Sequence, residues 1–439
     1  MNKKFYIETM GCQMNKSDTE RLEGMFMELG YDKTTEQKEA DFLIVSTCAI
    51  RQTSVDKAYS QLGVWGKRKK SKPHIKIGIC GCAAEIDKDK LFKRMPYLDL
   101  IFGTHNIFKF PEFVKRVENG EKVCEITNIP YPEPEELSIN RQNTVGAWIP
   151  IIEGCNNFCT YCVVPFTRGR ERSRMPQLII NDAKKAIESG KIEITLLGQN
   201  VDSYGKDLKN PDITLANLLR KLNKIEGKFR IRFVTSYPTD ITDDLINAVA
   251  ECDKVCEFFH IPMQSGNSRV LKEMNRRYNR EQYFEIFKKI RNKFDEVEIT
   301  SDFIAGFPGE TEEEFQDTLS AIEELEIDYS NTAIYSPRPF TKAGRMTDIF
   351  IPDEIKEERF QRLHETNCKM TLKSNQKLVG KTYEVLCECQ KTKKGKKMMN
   401  ARTRTNKLVH FESDKDLTGE FVNVKITKAQ TWCLYAELV

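Results

Sequence analysis

The first third of the chain alternates apolar runs with amphipathic segments. KFYIETM predicts a strand, and the apolar positions between Leu22 and Leu29 lie on one face of a helix that ends at Gly30. Two continuous apolar runs follow, of the kind buried in parallel sheets: ADFLIVSTC and HIKIGICGC. This order of elements predicts an N-terminal α/β sheet domain.

Cysteines follow each of these three strands. Cys12 comes after the first, Cys48 after the second, and either Cys80 or Cys82 after the third. Open α/β sheets place ligand sites at the carboxyl ends of their strands, so these thiols are expected to meet on one edge. Buried cysteines at strand ends are also common as simple packing residues, and the spacing alone leaves both interpretations open.

The middle of the chain repeats a strand–helix unit six times. A proline-rich acidic stretch, IPYPEPEELS, precedes it and is typical of a linker. The strand candidates are AWIPIIE, IEITLLG, RIRFVTS, CEFFHIP, VEITSDFIAG and YSNTAIYS. The helices between them include 176–189, 214–225, 280–293 and 311–325, the last with a capping-box pattern at Thr311 and Glu314. Six such units predict a partial (β/α)6 barrel, in which the loops at the strand carboxyl ends carry the chemistry.

The pattern changes after Lys377 to short β-type runs separated by Gly and Lys, which predicts a small all-β barrel. Residues 376–439 carry 13 Lys and Arg against 7 Asp and Glu, so a polyanionic partner is expected. A solvated hairpin tip is the alternative for its basic run. The cations singled out in that run are Lys393, Lys394, Lys396, Lys397, Arg402 and Arg404.

The amino-acid composition restricts the compartment and the chemistry that are expected of this chain. Of 439 residues, 39% are apolar and 31% charged, and neither a secretion signal nor an apolar run long enough to span a membrane is visible. A cytoplasmic protein without membrane association is therefore expected. In that reducing compartment 14 cysteines indicate metal or redox chemistry rather than disulfides. With only five histidines, a His-rich zinc site is disfavoured.

Three further cysteines form a CxxxCxxC motif immediately after the first barrel strand: Cys155, Cys159 and Cys162. Structural zinc needs four ligands, and this triplet has no neighbouring fourth. Three thiolates suit a 4Fe-4S cluster in which one iron stays open for an exogenous ligand. The cysteines outside these two sets are best explained by packing.

At this motif the chain resembles the radical S-adenosylmethionine methylthiotransferase family. The resemblance covers nearly the whole chain through GCQMN, STCAIR, GCAAE, GCNNFCTYCVVPFTRGRERSR, LGQNVDSYG, TSYPTD, HIPMQSGN, MNRRY, GFPGET and YSPRP. It implies an N-terminal cluster domain at 1–128, a linker at 129–144, a radical domain at 145–372 and an RNA-binding TRAM domain at 376–439. The sequence departs from the family at STCAIR, at Met175 and at Phe340, where glycine is more usual.

The resemblance also implies the ligands and cofactors. An auxiliary 4Fe-4S cluster would be held by Cys12, Cys48 and Cys82, the last chosen over Cys80 because it lies between Gly81 and Ala83. A radical 4Fe-4S cluster would be held by Cys155, Cys159 and Cys162. Two S-adenosylmethionine molecules would serve as methyl donor and radical source, with an external electron donor and a sulfur source. A monomer is expected.

TRGRERSR and LGQNVDSYG most resemble the branch that methylthiolates C2 of N6-isopentenyl(dimethylallyl)adenosine at tRNA position 37. The alternatives are the same chemistry on threonylcarbamoyladenosine or on a ribosomal protein and, more remotely, a non-enzymatic RNA-binding protein with structural zinc. Residues at barrel strand ends are candidates for binding cofactor or substrate: Gln199, Asn200, Ser236, Gln264, Gly306 and Glu310. The arginines after the triplet are candidates for phosphate contacts with the anticodon arm: Arg168, Arg170, Arg172 and Arg174. His260 is expected to be a satisfied core residue.

Overall fold

The computed structural model describes residues 2–49, 52–88, 90–127, 138–393 and 395–439. The chain divides into two compact units. The first comprises residues 1–142, 153–156 and 162–172, and the second comprises residues 143–152, 157–161 and 173–439.

The first unit is built on a six-stranded sheet whose neighbouring strands are all parallel. Its strands are β1 (Lys4–Met10), β2 (Asp32–Lys33), β3 (Phe42–Thr47), β4 (Lys76–Cys80), β5 (Leu100–Phe102) and β6 (Val123–Glu125). They lie in the order β2-β1-β3-β4-β5-β6. Its helices are α1 (Gln13–Glu28), α2 (Gln52–Ser71), α3 (Cys82–Asp87), α4 (Lys90–Arg94), α5 (Phe110–Glu118) and α6 (Val164–Thr167).

The central strand β3 is buried along its whole length, as its uninterrupted apolar sequence predicts. Alternate side chains point to opposite faces of a strand. Phe42 therefore joins one apolar cluster, around Phe26 and Phe110, while Leu43 joins a second cluster around Trp65. The sheet is thus covered by apolar side chains on both faces.

Part of the expected linker belongs to the first unit. Residues 128–137 lie outside the described residues, but the backbone N–H of Asn140 donates to the Glu20 carbonyl at 2.9 Å, and Gln142 Nε2 donates to Glu23 Oε1 at 2.7 Å. A Cβ on Gly24 would lie 2.1 Å from the Ser138 carbonyl oxygen, so glycine permits this close approach. The described end of the segment is therefore packed along α1.

The second unit contains six parallel barrel strands, as the repeated strand–helix pattern predicted. They are β7 (Gly146–Pro150), β10 (Glu193–Leu197), β11 (Arg230–Phe233), β12 (Phe258–His260), β13 (Glu298–Ala305) and β14 (Tyr329–Ile334). Two three-stranded sheets, β11-β10-β7 and β12-β13-β14, are joined through a parallel bridge between Ile231 and Val255. The two-residue strands β8 (Ile152–Glu153) and β9 (Arg172–Ser173) flank the segment that carries the CxxxCxxC motif.

The barrel helices are α7 (Pro176–Glu188), α8 (Leu215–Asn223), α9 (Asp243–Glu251), α10 (Ser268–Glu273), α11 (Arg280–Lys293), α12 (Glu312–Glu324) and α13 (Asp353–Gln376). The four helices expected from the sequence all form, with ends within two residues of those expected. At α12 the predicted capping box is present, because the Thr311 hydroxyl accepts from the Glu314 N–H and Glu314 accepts from the Thr311 N–H.

The C-terminal module is a closed five-stranded barrel, which confirms the all-β prediction. Its strands are β15 (Thr382–Lys393), β16 (Lys396–Thr403), β17 (Leu408–Glu412), β18 (Phe421–Ala429) and β19 (Leu434–Leu438), in the order β15-β16-β17-β19-β18. Within the second unit, Arg232 at β11 donates to the backbone carbonyls of Thr403 and Arg404 at 2.8 and 2.6 Å. In the described chain, no helix combines the length and apolar character needed to cross a membrane.

Candidate functional site

The parallel sheet of the first unit places three cysteines on one edge. Cys12 follows β1, Cys48 follows β3 and Cys82 follows β4, and these three strands are direct neighbours. The backbone N–H of Cys48 donates to the Met10 carbonyl at 3.1 Å, so the first two strand ends are tied together. The chain thereby gathers thiols that are separated by tens of residues in sequence.

The glycines that precede two of these cysteines allow the strand ends to approach closely. Gly81 has a φ of +89°, and a Cβ there would lie 2.6 Å from the Thr47 carbonyl oxygen. A Cβ on Gly11 would lie 2.4 Å from Asn15 Oδ1. At Gly81 the positive φ and the nearby backbone oxygen both favour glycine, whereas at Gly11 a Cβ would require the Asn15 side chain to move.

The thiols at this edge differ in electrostatic character. Cys12 is exposed, and its pKa is lowered to about 5, first by a hydrogen bond with the Cys48 thiol and further by the positive charge of Arg168, against the effect of desolvation. Burial raises the pKa of Cys82, an effect that Arg168 opposes. Because the thiolate is the metal-binding form, the cation favours ligation at this edge.

Cys80 has a different environment from Cys82, although only one residue separates them. It packs in the apolar cluster with Phe102 and Phe110, and burial raises the pKa of its thiol far above the usual range. Cys82 packs instead with Ala49 and Val163. At the end of β4 the two side chains thus have different surroundings: Cys80 lies in the core, and Cys82 lies toward the strand ends.

Arg168 corrects one of the sequence-based expectations. The residue is buried, with 3% of its surface exposed, and Nη2 donates to Asp18 Oδ2 at 2.7 Å. A guanidinium in this position is not available to an RNA phosphate, contrary to its inclusion among the phosphate-binding arginines. The acidic partner lies 150 residues away in sequence, on α1, so no local pattern could reveal it.

The other arginines of the TRGRERSR run have three different environments. Arg172 is partly buried and donates to Glu153 Oε2 at 2.7 Å. Arg174 is partly buried and donates to the Pro150 carbonyl at 2.6 Å and to Asp182 at 3.4 Å. Arg170 has an exposed side chain. Among the four arginines, Arg170 is the one whose exposure agrees with the expected contact to an RNA phosphate.

Residues of the CxxxCxxC motif make backbone hydrogen bonds within each unit. In the first unit, the Cys155 N–H donates to the Gly169 carbonyl at 3.1 Å. In the second unit, the Thr160 N–H donates to the Met274 carbonyl at 3.0 Å and its hydroxyl donates to the Glu273 carbonyl at 2.8 Å. Cys155, Cys159 and Cys162 are all partly exposed. Accessible thiols on an anchored loop suit the binding of an inorganic group.

Arg276 is a neighbour of this loop that sequence reasoning did not single out. Its Nη1 lies 3.6 Å from Cys159 Sγ, and its guanidinium lies over the rings of Tyr237 and Tyr278 at 4.4 and 4.9 Å. Nη2 donates to the Pro262 carbonyl at 2.6 Å. Arg276 lies in the MNRRY motif, and this motif is the sequence feature that could have identified it. Among the described residues, no group of three or more His, Cys, Asp and Glu side chains has the geometry to hold a metal ion.

The carboxyl ends of the barrel strands carry the polar residues expected there. Asn200 is buried and its Nδ2 donates to Asp240 Oδ2 at 2.6 Å, while its Oδ1 has no hydrogen-bond partner among the described residues. The Ser236 hydroxyl donates to Asp202 Oδ1 at 3.1 Å, and burial raises the pKa of Asp202 to about 7. Gln199 is partly buried next to Asn200.

Gln264 and Glu310 complete this edge. Gln264 is buried with a φ of +76° and its N–H donates to the Asp302 carbonyl at 2.8 Å. Glu310 Oε2 accepts from the Gly306 N–H at 3.0 Å and from Arg359 Nη1 at 3.1 Å. Its Oε1 is buried without a partner in the described part of the chain, and burial raises the pKa of this carboxyl to about 7. Unpartnered buried oxygens at two strand ends are suited to a polar ligand.

His260 has both ring nitrogens engaged, by Thr300 Oγ1 at 2.9 Å and Asp302 Oδ2 at 3.3 Å. This agrees with a satisfied structural histidine.

Cations in the basic run of the C-terminal barrel have hydrogen-bond and ion-pair partners that the sequence of the run does not indicate. Lys396 pairs with Glu412 at 2.5 Å, Lys397 Nζ donates to the Asp414 carbonyl at 3.3 Å, and Arg402 pairs with Glu388 at 2.8 Å. The side chain of Lys393 and the whole of Lys394 lie outside the described residues. Lys396 and Arg402 are therefore paired with acidic residues on adjacent strands.

Arg404 corrects a second expectation, because it joins the C-terminal module to the barrel. Its Nη2 lies 2.6 Å from Glu257 Oε1, and it also donates to the carbonyls of Asp253 and Val255 at 2.9 and 2.7 Å. A guanidinium that holds two modules together in this way is not free to bind RNA.

This architecture is shared with known protein families. Three family models match: the radical SAM superfamily over residues 149–322, the family described as uncharacterized protein family UPF0004 over residues 4–103, and the TRAM domain over residues 376–439. Together they cover the cysteine-bearing sheet, the barrel and the C-terminal module.

Full-length relatives are close in sequence. The chain is 47% identical to a tRNA-2-methylthio-N(6)-dimethylallyladenosine synthase of Clostridium beijerinckii over 99% of this chain and 96% of the relative. It is 48% identical to the synthase of the same name from Clostridium perfringens over 100% of this chain and 98% of the relative.

A solved structure shares the fold. The radical S-adenosylmethionine methyltransferase TsrM from Kitasatospora setae, with cobalamin and a 4Fe-4S cluster bound, superposes with a TM-score of 0.57 at 12% identity. The match covers 78% of this chain and 77% of that chain. With the sequence relatives, these matches establish that the chain belongs to the family of radical S-adenosylmethionine methylthiotransferases named tRNA-2-methylthio-N(6)-dimethylallyladenosine synthases.

Proposed function

We propose that this protein transfers a methylthio group to C2 of N6-isopentenyl(dimethylallyl)adenosine at tRNA position 37, giving 2-methylthio-N6-isopentenyladenosine. The observation that carries the proposal is the edge formed by Cys12, Cys48 and Cys82, in a chain that also has the CxxxCxxC loop. Two separate thiolate triads suit a reaction that needs both a radical source and a sulfur carrier. The full-length identity to synthases named for this product supports the substrate.

The six cysteines are the proposed ligands of two 4Fe-4S clusters, with Cys12, Cys48 and Cys82 on the auxiliary cluster and Cys155, Cys159 and Cys162 on the radical cluster. Three thiolates leave one iron of each cluster open. When bound, the clusters and S-adenosylmethionine supply the 5′-deoxyadenosyl radical and the methylated sulfur, chemistry beyond any polar side chain. Arg168 favours the thiolate form of Cys12, and Arg276 places a positive charge beside Cys159.

The barrel edge is the proposed site of S-adenosylmethionine. This cofactor carries an amino group, a carboxylate and ribose hydroxyls. Asn200 Oδ1 and Glu310 Oε1 are buried acceptors without partners among the described residues, and they match its donor groups. Gly306 adopts a φ of +75°, and its N–H donates to the other oxygen of Glu310, Oε2, at 3.0 Å. Gln199, Ser236 and Gln264 lie at the same edge and belong to the proposed site.

tRNA is the proposed partner, held by Arg170 and by the exposed cations of the TRAM module. The proposed domains are 1–128 for the auxiliary cluster, a linker at 129–144, 145–372 for the radical reaction and 376–439 for RNA. An external electron donor and a sulfur source are the other proposed partners. We further propose a cytoplasmic monomer.

The proposal is tested by anaerobic reconstitution with iron and sulfide, followed by metal analysis and nucleoside analysis. Wild-type protein should bind about eight irons, and replacement of Cys48 or Cys159 by Ala should disrupt one cluster each. C159A should lose S-adenosylmethionine cleavage, whereas C48A should keep cleavage and lose methylthio transfer. C124A, which removes an exposed cysteine outside both triads, is the control and should behave as wild type.

Zinc at stoichiometric occupancy without visible charge-transfer absorbance would defeat the proposal. So would equal loss of RNA affinity, and nothing else, in both cysteine variants.

A further inference from the structure

Arg276 is a buried arginine that pairs with no carboxylate in the described part of the chain. Its Nε donates to the Tyr278 hydroxyl at 2.7 Å and its Nη2 to the Pro262 carbonyl at 2.6 Å, and both acceptors are neutral. A third hydrogen bond runs from Nη1 to Cys159 Sγ at 3.6 Å. A buried charge needs an opposite charge or strong hydrogen bonds to offset its desolvation. The cysteine sulfur is therefore the anion to which this cation is suited.

The backbone of Arg276 is fixed by the turn that ends α10. The Asn275 N–H donates to the Lys272 carbonyl at 3.0 Å, and the Arg276 N–H donates to the Leu271 carbonyl at 2.8 Å. Asn275 has a φ of +57°. These two hydrogen bonds around a left-handed residue form a Schellman motif, in which glycine or asparagine takes the left-handed position. Arg276 therefore leaves the helix in one defined direction.

The same turn holds the cysteine loop. Asn275 Nδ2 donates to the carbonyls of Asn157 and Phe158 at 3.1 and 3.0 Å. Thr160 is bonded to this turn through its N–H and its hydroxyl. Residues on both sides of Cys159 are thus tied to the segment that carries the guanidinium. The contact between guanidinium and sulfur is supported by backbone hydrogen bonds rather than by one flexible side chain.

Two tyrosine rings restrict the guanidinium further. It lies over the rings of Tyr237 and Tyr278, which meet edge to face with their centroids 5.7 Å apart. Both rings are buried. A stacked and hydrogen-bonded guanidinium has a fixed orientation, and a hydrogen bond is electrostatically stronger where water is excluded. The N–H is therefore oriented toward the sulfur in advance.

We propose that Arg276 raises the reduction potential of the cluster held by Cys159, so that a weaker electron donor can reduce it. This inference rests on the proposed function, because it takes Cys155, Cys159 and Cys162 as ligands of the radical cluster. One electron passes from the external donor to the cluster, no bond of the protein forms or breaks, and the negative charge at the site increases. A fixed positive charge and an N–H···S hydrogen bond stabilise the more negative form. Arg276 acts through the Cys159 sulfur, so it is a positioning residue.

The test is a redox titration of full-length protein that carries only the radical cluster. The parent protein is the C12A/C48A/C82A variant, which lacks the proposed auxiliary ligands. EPR spectroscopy measures its reduced fraction at a series of poised potentials without S-adenosylmethionine. At the midpoint of the parent, we expect R276M to lower the ratio of reduced to oxidised cluster about tenfold, equivalent to about 59 mV for one electron. R276K keeps the charge but not the planar fork, so it should recover part of the ratio.

K272M provides a matched control. Lys272 is an exposed cation on α10, in the same helix-and-turn segment as Arg276. Solvent screens its charge, so its loss should leave the ratio within about twofold. Iron analysis of every variant checks that the cluster is bound.

Reductant strength separates a change of potential from a damaged site. R276M should cleave S-adenosylmethionine slowly with a weak reductant and recover toward the parent with a stronger one. Slow cleavage that no reductant restores would contradict a role in the potential.

Three further results would overturn the inference while leaving the proposed function intact. The first is an unchanged ratio in R276M, or in R276K if R276M binds no iron. The second is loss of iron from both variants, which would make Arg276 a support of the loop. The third is weaker binding of S-adenosylmethionine by R276M at an unchanged potential, which would assign the guanidinium to the cofactor.

The proposed function fails in a different way. A lowered ratio in R276M, together with no methylthio product from wild type on an anticodon stem-loop RNA, would overturn the proposed function alone. A parent protein that binds no iron would overturn both.

Discussion

Arg168 and Asp18 form a buried ion pair with 2.7 Å between Nη2 and Oδ2, next to the edge where Cys12 and Cys82 lie. The side chains are only 4% and 10% exposed, so each charge depends on the other for its solvation. Arg168, which follows the CxxxCxxC motif, thus places its positive charge near the N-terminal cysteines, and its buried side chain does not point to a phosphate contact.

Replacement of Arg168 by Met should therefore destabilise the protein. Removing one partner leaves the Asp18 carboxylate buried without a counter-charge, which costs about 3–5 kcal/mol of unfolding free energy. Urea denaturation measures the loss, and the double variant R168M/D18N should recover part of it. R170M, at the exposed neighbouring arginine, should change stability by less than about 0.5 kcal/mol. If R168M lost RNA affinity at unchanged stability, a phosphate-binding role would be restored.

Glu298 should make stability depend on pH. Burial raises the pKa of this carboxyl from 4.5 to about 7, although Lys407 lies 3.5 Å away and lowers it. The folded protein holds this proton more tightly than the unfolded chain, so the stabilising contribution is complete below about pH 4.5 and is lost as pH rises through about 7. Relative to E298Q, wild type should lose up to about 3 kcal/mol across this range.

Denaturation series of both proteins between pH 4.5 and 8 would measure this difference. A wild-type curve that gains stability over E298Q as pH rises would show that the Lys407 charge outweighs burial.

Arg404 should contribute to the attachment of the TRAM module. Its loss leaves Glu257 and two barrel carbonyls without their donor, and truncation of such a charge pair costs about 2 kcal/mol or more. R404A should lower the midpoint of thermal unfolding and speed proteolysis between α13 and β15. K396A, which removes an exposed lysine of the same module, should do neither. Equal proteolysis rates in R404A and wild type would argue against a role of Arg404 in attaching the TRAM module.

The exposed lysines of the C-terminal barrel should affect RNA affinity and not stability. Lys396 and Lys397 are exposed, and exposed pairs such as Lys396–Glu412 contribute little to folding. K396A/K397A should weaken binding of the stem-loop RNA, and the slope of log affinity against log salt should become shallower by about one to two units. Fluorescence anisotropy over a salt series measures both. An unchanged slope would place the RNA elsewhere.

Much of the fold follows from local pattern, and most of the corrections concern long-range contacts. The capping box at Thr311 and the buried strand β3 are short-range features that the sequence alone predicts. The convergence of Cys12, Cys48 and Cys82 follows from the rule that parallel strand ends share an edge. Arg168 and Arg404 differ from expectation because their partners, Asp18 and Glu257, come from distant elements.

Phe340 illustrates the remaining limit of the sequence. The dipeptide Pro339–Phe340 gives no sign of a positive φ, because that conformation is typical of glycine and is imposed here by a closed turn.

Nucleoside mass analysis of two stem-loop RNAs, one carrying N6-isopentenyladenosine and one carrying threonylcarbamoyladenosine, would identify the substrate of the methylthio transfer. Each would be incubated anaerobically with the reconstituted protein, S-adenosylmethionine, a reductant and sulfide. We expect a 2-methylthio product from the isopentenyl RNA alone, and none from C48A. A methylthio product confined to the threonylcarbamoyl RNA, or absent from both with intact clusters, would contradict it.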